Sequence, residues 1–442
     1  MNPSERKTFN KEYRTFLWSS ILIALSACLG NVVDAVIVGN LIGADGVSAI
    51  NISRTIIQLM FTLNMLLATG AGMLVGMELG KQEPARASYI FTVSTAACLV
   101  TGLLMTACGL FCPDVLTRLL CDNEQLYQPT YDYLRVTLLG APVYMLMWCS
   151  STMVSVDGSP KLVSLSILVD NAVNLGCDIV FINYLGWGIE GSSAATVTGH
   201  IVGIAMMAFH FFSPKNNLRL SWSSHKPALG SIVSQGAPLA IASVCLTVLL
   251  YSSNTIVLSS MGRTGIFAFA LCMNLLQIYN LFLSGVCRTI QSFGSIQVGK
   301  GDNEAFLLVL RKSFSFITIA MFITCAVVWV WPESIVILFG TDETDLISEA
   351  NYALRIFAVS FVPFCYIYTT MIVYKLYGYG QIALFISFAL SLTVVPVLWL
   401  MSKFALNFIW YSFLIAYIIE IVAIVILHKT YHATFKLNKE NI

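Results

Sequence analysis

Between short polar breaks the chain is a succession of long apolar runs, near residues 15 to 41, 53 to 78, 88 to 111, 132 to 155, 162 to 185, 191 to 213, 232 to 259, 266 to 297, 311 to 331, 350 to 376, 380 to 401 and 405 to 428. Each supplies the roughly 20 apolar residues that a helix needs to cross a hydrocarbon core about 30 Å thick. The pattern predicts an all-α integral membrane protein of twelve transmembrane helices. The start of the first run invites another reading, because a basic N-region followed by Leu25-Ser26-Ala27-Cys28 has the look of a lipoprotein cleavage box. The apolar run continues past Cys28 to Val38, however, and only the intact stretch is long enough to span.

The pattern also repeats. Met77-Glu78-Leu79-Gly80-Lys81-Gln82-Glu83 answers to Ile296-Gln297-Val298-Gly299-Lys300-Gly301-Asp302 at an offset of 219, Leu134-Arg135 to Leu354-Arg355 at 220, and Pro142 to Pro363 at 221. Two six-helix halves follow: an N-lobe over 1–212 and a C-lobe over 229–430, joined by a polar linker at 213–228 and followed by a tail at 431–442. Because six is even, both halves enter the membrane from the same side, so the repeat is parallel. Two such lobes around a central cleft form a transporter plan, with substrate bound between repeats that rock.

Composition agrees with a bilayer environment. Of 442 residues 57% are hydrophobic and only 11% charged, against about 25% charged in soluble domains, and the mean hydropathy is +0.79. A net charge of +1 leaves no basic excess for a phosphate backbone, which argues against a nucleic-acid partner. With an inside N-terminus, the inner segments hold 17 of the 24 Lys and Arg residues. This bias predicts a plasma-membrane protein with both termini cytoplasmic. Twelve cysteines form no CxxC pair, and most lie within apolar runs as small hydrophobes, so neither a disulfide framework nor a metal centre is suggested. Five scattered histidines supply no catalytic cluster, which argues against a membrane enzyme.

Charge within a span is costly and marks candidate function. The first half carries Asp34, Asp170 and Asp178; the repeat offset puts Asn254, Ser391 and Trp399 in their places, so the acids serve something confined to one half. Asp34 and Asp178 each lie about seven residues before the outer end of an outward-running helix, about 10 Å deep at about 1.5 Å per residue. Thr196 falls near the same depth, and Asn174 shares a helix face with Asp170 and Asp178 by i, i+4 spacing. Asp34, Asn174, Asp178 and Thr196 thus form a candidate pocket. Two carboxylates in low dielectric would take up a proton or accept a cation, and an oxygen-only ligand set suits a hard ion such as Na⁺. An interhelical hydrogen-bond network is the alternative, with the strongest claim at Asp170. His200, Arg288 and Glu420 stand singly in their spans; a buried Arg288–Glu420 pair, or snorkelling of both, stays open.

Several segments together resemble the multidrug and toxic compound extrusion (MATE) family. They are Asn31-Val32-Val33-Asp34-Ala35-Val36-Ile37-Val38-Gly39, the Gly-Lys pairs at Gly80 and Gly299, the Asp157-Gly158-Ser159-Pro160-Lys161 turn, and the stretch from Asp178 to Gly186-Trp187-Gly188-Ile189-Glu190-Gly191. The likeness runs from about residue 13 to 430 and is nearest to the bacterial DinF-like branch. It implies a secondary antiporter that works by alternating access, exporting amphipathic, often cationic organic compounds in exchange for H⁺ or Na⁺, with no cofactor. It implies coupling in the N-lobe at Asp34, Asn174, Asp178 and Thr196, with Tyr133 and Ser151 where that branch places further polar groups, Ser151 replacing a more usual Asn. A two-lobed chain holds its own cleft and can work as a monomer. Helices seven and ten lack the acids of the branch that binds its cation in the C-lobe, and residues 15 to 41 contain no proline to bend the first helix. A lipid-linked oligosaccharide flippase, which shares the lobed plan, is the alternative; it calls for a strongly basic cleft, and Arg288 stands alone at midspan.

Overall fold

The computed structural model describes residues 3–42, 44–121, 124–214, 216–222, 228–337 and 344–439. Among the described residues all regular structure is helical. Ten helices are long and apolar enough to cross a membrane: α2 (Ile52–Gly80), α3 (Pro84–Phe111), α5 (Pro160–Tyr184), α6 (Gly188–Phe212), α7 (Leu229–Gly262), α8 (Phe267–Gly299), α9 (Asn303–Val330), α10 (Leu346–Leu376), α11 (Gly380–Phe404) and α12 (Phe408–Leu427). An eleventh span, α4, is a bent pair, Leu126–Leu139 and Ala141–Val156, that meets at 54°. The remaining predicted span lies in α1 (Pro3–Leu41). Among the described residues up to eleven helices thus meet the length and apolarity of a membrane span.

Helix starts obey local chemistry. Pro84 and Pro160 open α3 and α5, where the missing N–H costs nothing and the fixed φ is already helical. The bend in α4 falls at Gly140, just ahead of Pro142, which cannot donate into the preceding turn. Large apolar side chains remain bare on outer faces, among them Leu104, Phe212 and Phe404, as a hydrocarbon surround requires.

The repeat is written into the turns. Gln82, the one described non-glycine residue with positive φ (63°), has as its repeat mate Gly301 (φ 70°). Glu83 N donates to Glu78 O, and Asp302 N to Gln297 O, at the same offset of 219. Gly158 (φ 92°) and Gly378 (φ 86°) likewise close the same turn 220 residues apart, although their flanking sequences differ.

Two compact units emerge: Met1–Ala237 with Arg288–Phe306, and Pro238–Cys287 with Leu307–Ile442. In the first unit small residues let helices approach closely. A Cβ on Gly102 would fall 2.5 Å from Pro142 Cα, and one on Gly80 would fall 2.8 Å from Gly299 Cα, so the repeat-related Gly-Lys motifs pack against each other. Residues 3–14, which the apolar pattern leaves outside the first span, extend α1 instead. Phe9, Tyr13, Phe16 and Leu17 form one buried stripe, and Phe9 and Phe16 sit 5.3 and 5.2 Å from the Phe293 ring.

The same unit also holds the start of the linker. Asn217 donates through N and Nδ2 to the buried Asp157 carboxylate, at 2.9 Å each. Arg219 N donates to Ser88 Oγ and Ser221 N to Thr92 Oγ1, one turn apart on α3. His210 completes the cluster, with Nε2 at 2.8 Å from Asp157 and Nδ1 at 2.9 Å from Ser159 Oγ. The carboxylate accepts from Nε2–H, and the serine hydroxyl can bond Nδ1 in either direction. The second unit packs around aromatic side chains, with Phe357 and Phe413 centroids 4.5 Å apart and Phe364 and Tyr417 5.5 Å apart.

Candidate functional site

Helices α5 and α6 are antiparallel neighbours joined by a short turn at Gly186 and Gly188, both with positive φ. Asp170, Asn174 and Asp178, at i, i+4, i+8, lie on one buried face of α5. On α6 the facing positions are Ser192, Thr196 and His200. Asn174 Nδ2 donates to Thr196 Oγ1 at 3.1 Å. His200 Nδ1 stands 3.0 Å from both oxygens of Asp170, with the two side chains only 14% and 6% exposed. The antiparallel register that pairs 170 with 200 and 174 with 196 brings the fully buried Ser192 opposite Asp178, itself 0% exposed. The result is a polar ladder of three rungs about 12 Å long at about 1.5 Å per residue.

Glycine sets the spacing of this ladder. A Cβ on Gly199 would lie 2.6 Å from Asp170 Oδ1 and 2.7 Å from its carbonyl oxygen, so only a residue without a side chain lets α6 approach the acid. Tyr144 of α4 closes the lower rung, its ring edge-on to His200 with centroids 4.7 Å apart.

Helix α1 lies alongside. Asn171 Nδ2 donates to Ser26 Oγ at 2.7 Å and to Ser26 O at 3.1 Å, fixing α1 against α5 beside the lower rung. Residue 34 lies two turns beyond Ser26 on α1, as Asp178 lies two turns beyond Asp170 on α5. The side chain of Asp34 lies outside the described residues.

The other expected positions sit elsewhere. Tyr133 is buried in a cluster with Ala49, Ile50, Ile182 and Ile189, on the far side of Asp178 from the lower rungs. Ser151 accepts a hydrogen bond from Arg288 Nη1 at 3.1 Å. Arg288 is thus held by a hydroxyl. His200, which stands singly when its own helix is read alone, proves to be Asp170's partner; the available signal was that Thr196 and His200 repeat at the same i, i+4 interval as Asn174 and Asp170.

The MatE family model matches residues 20–180 and 238–400, a large majority of the chain and both halves of the repeat. The chain belongs to the MatE family. It is therefore a multi-pass membrane transporter. Relatives include the multidrug export protein MepA of Staphylococcus haemolyticus (strain JCSC1435), 22% identical over 424 residues that span 93% of this chain and 91% of that protein. MepA of Staphylococcus aureus (strain MSSA476) is 21% identical over 422 residues, 93% and 92% of the two chains. Among solved structures, an outward-facing MATE multidrug resistance transporter of the MOP superfamily superposes with a TM-score of 0.85 at 17% identity, covering 97% of each chain. A MOP superfamily transporter from Pyrococcus furiosus, whose reversed pocket polarity suggests a different function, superposes with the same score, identity and coverage. At these identities the structural likeness of this MatE chain fixes its fold alone.

Proposed function

We propose that this MatE chain is a secondary antiporter that exports amphipathic, often cationic organic compounds in exchange for inward H⁺ or Na⁺, by alternating access of its two lobes, 1–212 and 229–430. The observation that carries the coupling is the ladder between α5 and α6. Three rungs of acid, amide and hydroxyl groups in one buried strip are more than a helix pair needs to associate, and their oxygens give an entering cation or proton successive partners. In this reading Asp34 and Asp178 form the charged layer, and Asn174 and Thr196 supply neutral oxygens beside it. His200 favours H⁺ as the coupling ion, because an imidazole bonded to a carboxylate passes a proton with a small movement and offers no oxygen to Na⁺. Multidrug export is supported by the MepA relatives, which match along nearly the whole chain. The basic bias of the inner segments supports cytoplasmic termini in a plasma membrane, and a chain holding both lobes needs no second copy.

The test uses purified protein in liposomes, with efflux of ethidium driven separately by a pH gradient and a Na⁺ gradient, for wild type, Asp34→Asn and Asp178→Asn. Efflux under the pH gradient that both substitutions abolish supports proton antiport at this layer. Normal gradient-driven efflux by both variants overturns it, and wild-type silence under both gradients favours a lipid-linked cargo.

A further inference from the structure

The second unit contains an acid that the ladder does not use. Helix α12 buries one face through Phe413, Ala416, Tyr417, Glu420 and Ile424. Glu420 is 1% exposed, and neither of its carboxyl oxygens has a hydrogen-bond partner. It stands 220 residues after His200, the offset that separates the Gly158 and Gly378 turns, so the second half places a carboxyl where the first half places the ladder's imidazole.

Its surroundings decide what it can bind. Phe357 meets Phe413 and Phe364 meets Tyr417, so α10 runs alongside α12 in the same direction. One turn further on, α10 brings Cys365 and Tyr368 toward the level of Glu420, and α12 itself brings Tyr417. Helix α11 carries Lys403 near its far end, remote from this level, and between Gly380 and Leu392 it has no ionisable side chain. Among the described residues no cation forms an ion pair with Glu420, and no group of three or more acids, histidines or cysteines that could hold a metal ion includes it. A metal cation needs several oxygens; a proton needs only the carboxylate. A carboxylate buried here without a hydrogen-bond partner or counter-charge from the protein would be strongly disfavoured.

We infer that Glu420 is a proton-binding site in the second unit, separate from the acid ladder, and that it holds its proton in the conformation seen here. The inference does not depend on which compound is exported. The test is infrared spectroscopy of the full-length protein in liposomes at pH 7 in H₂O and D₂O. Wild type is expected to show a deuterium-sensitive protonated-carboxyl band that disappears in Glu420→Gln and returns at a shifted frequency in Glu420→Asp. Thermal melting of each variant checks that it is folded. Should Glu420→Gln fail that check, specific labelling of glutamate carboxyls with ¹³C in wild type replaces it, and a band that does not move with the label refutes the assignment. A wild-type spectrum without the band, or one that folded Glu420→Gln leaves unchanged, overturns the proposal.

Discussion

The contact between the two Gly-Lys motifs makes a quantitative test of alternating access. Adding a methyl group at Gly80 puts a carbon 2.8 Å from Gly299 Cα and Lys300 N, and nearer still to the Ile296 carbonyl oxygen. Ordinary contact starts at 3.4 Å, so α2 and α8 must part here by at least 3.4 − 2.8 = 0.6 Å, with backbone on both sides and no flexible side chain to yield. Overpacking of this kind costs about 1–3 kcal/mol. If the packing exists only when this end is closed, Gly80→Ala shifts the balance toward the open state by about 5- to 150-fold. The reporter is Ser295→Cys, a fully buried position on the same seam beside Gly76. Its labelling by a membrane-impermeant maleimide applied from the Lys81 and Lys300 side should speed up by that factor in Gly80→Ala, and by more in Gly299→Ala, whose Cβ meets the Met77 backbone more closely. Unchanged labelling in both variants would show that the seam does not open during the cycle.

Two further perturbations probe the first unit. His200→Ala leaves the Asp170 carboxylate buried beside Gly199 without its partner, and loss of one member of a buried pair costs about 3–5 kcal/mol; the melting temperature of the purified protein should fall clearly, and His200→Asn, which keeps a donor, should fall less. Equal melting of all three proteins would mean that water already satisfies Asp170. Asp157→Ala removes the acceptor for two Asn217 donors and for His210, and hydrogen bonds to a charged group contribute about 1.5–3 kcal/mol each. Tryptic cleavage after the exposed Arg219 should rise at least about tenfold, since about 1.4 kcal/mol corresponds to a factor of ten; an unchanged rate would show that Ser88 and Thr92 hold the linker without help.

Much of this architecture is legible in the chain because the bilayer simplifies the code. Run length alone places the spans, and the ends of the predicted 266 to 297 and 405 to 428 differ by one to three residues from those of Phe267–Gly299 and Phe408–Leu427. The repeat is visible because the Gly80-Lys81 and Gly299-Lys300 pairs recur at one offset, whereas the equivalent turns at Gln82 and Gly301 and at Gly158 and Gly378 share their positive φ more than their residues. What escapes is anything set between helices. The i, i+4 rule aligns Asp170, Asn174 and Asp178 on one helix, but nothing within α5 says that His200 lies opposite. That register depends on the length of the turn before Gly188 and on the missing Cβ of Gly199. The amphipathic start of α1 escapes for a related reason: twelve residues with seven charged or amide side chains read as a tail until Phe293 offers Phe9 and Phe16 a partner.

The length of the ladder bears on how coupling can work. Carboxylates eight residues apart on α5 are about 12 Å distant, and at an effective dielectric constant near 20 two unit charges at that distance interact by about 1.4 kcal/mol. That is a factor of about ten in the occupancy of either rung. Under the proposed coupling at Asp178, the charge state of the Asp170–His200 rung would bias ion or proton entry there without direct contact between them. A positive His200 cancels most of Asp170's influence on the upper rung, whereas a neutral imidazole leaves the acid's full field in place. Coupling to an exported cation then requires only that the two lobe arrangements differ in how well they tolerate these charge states. An intramembrane histidine paired with an acid is suited to adjust that difference in steps of about one decade.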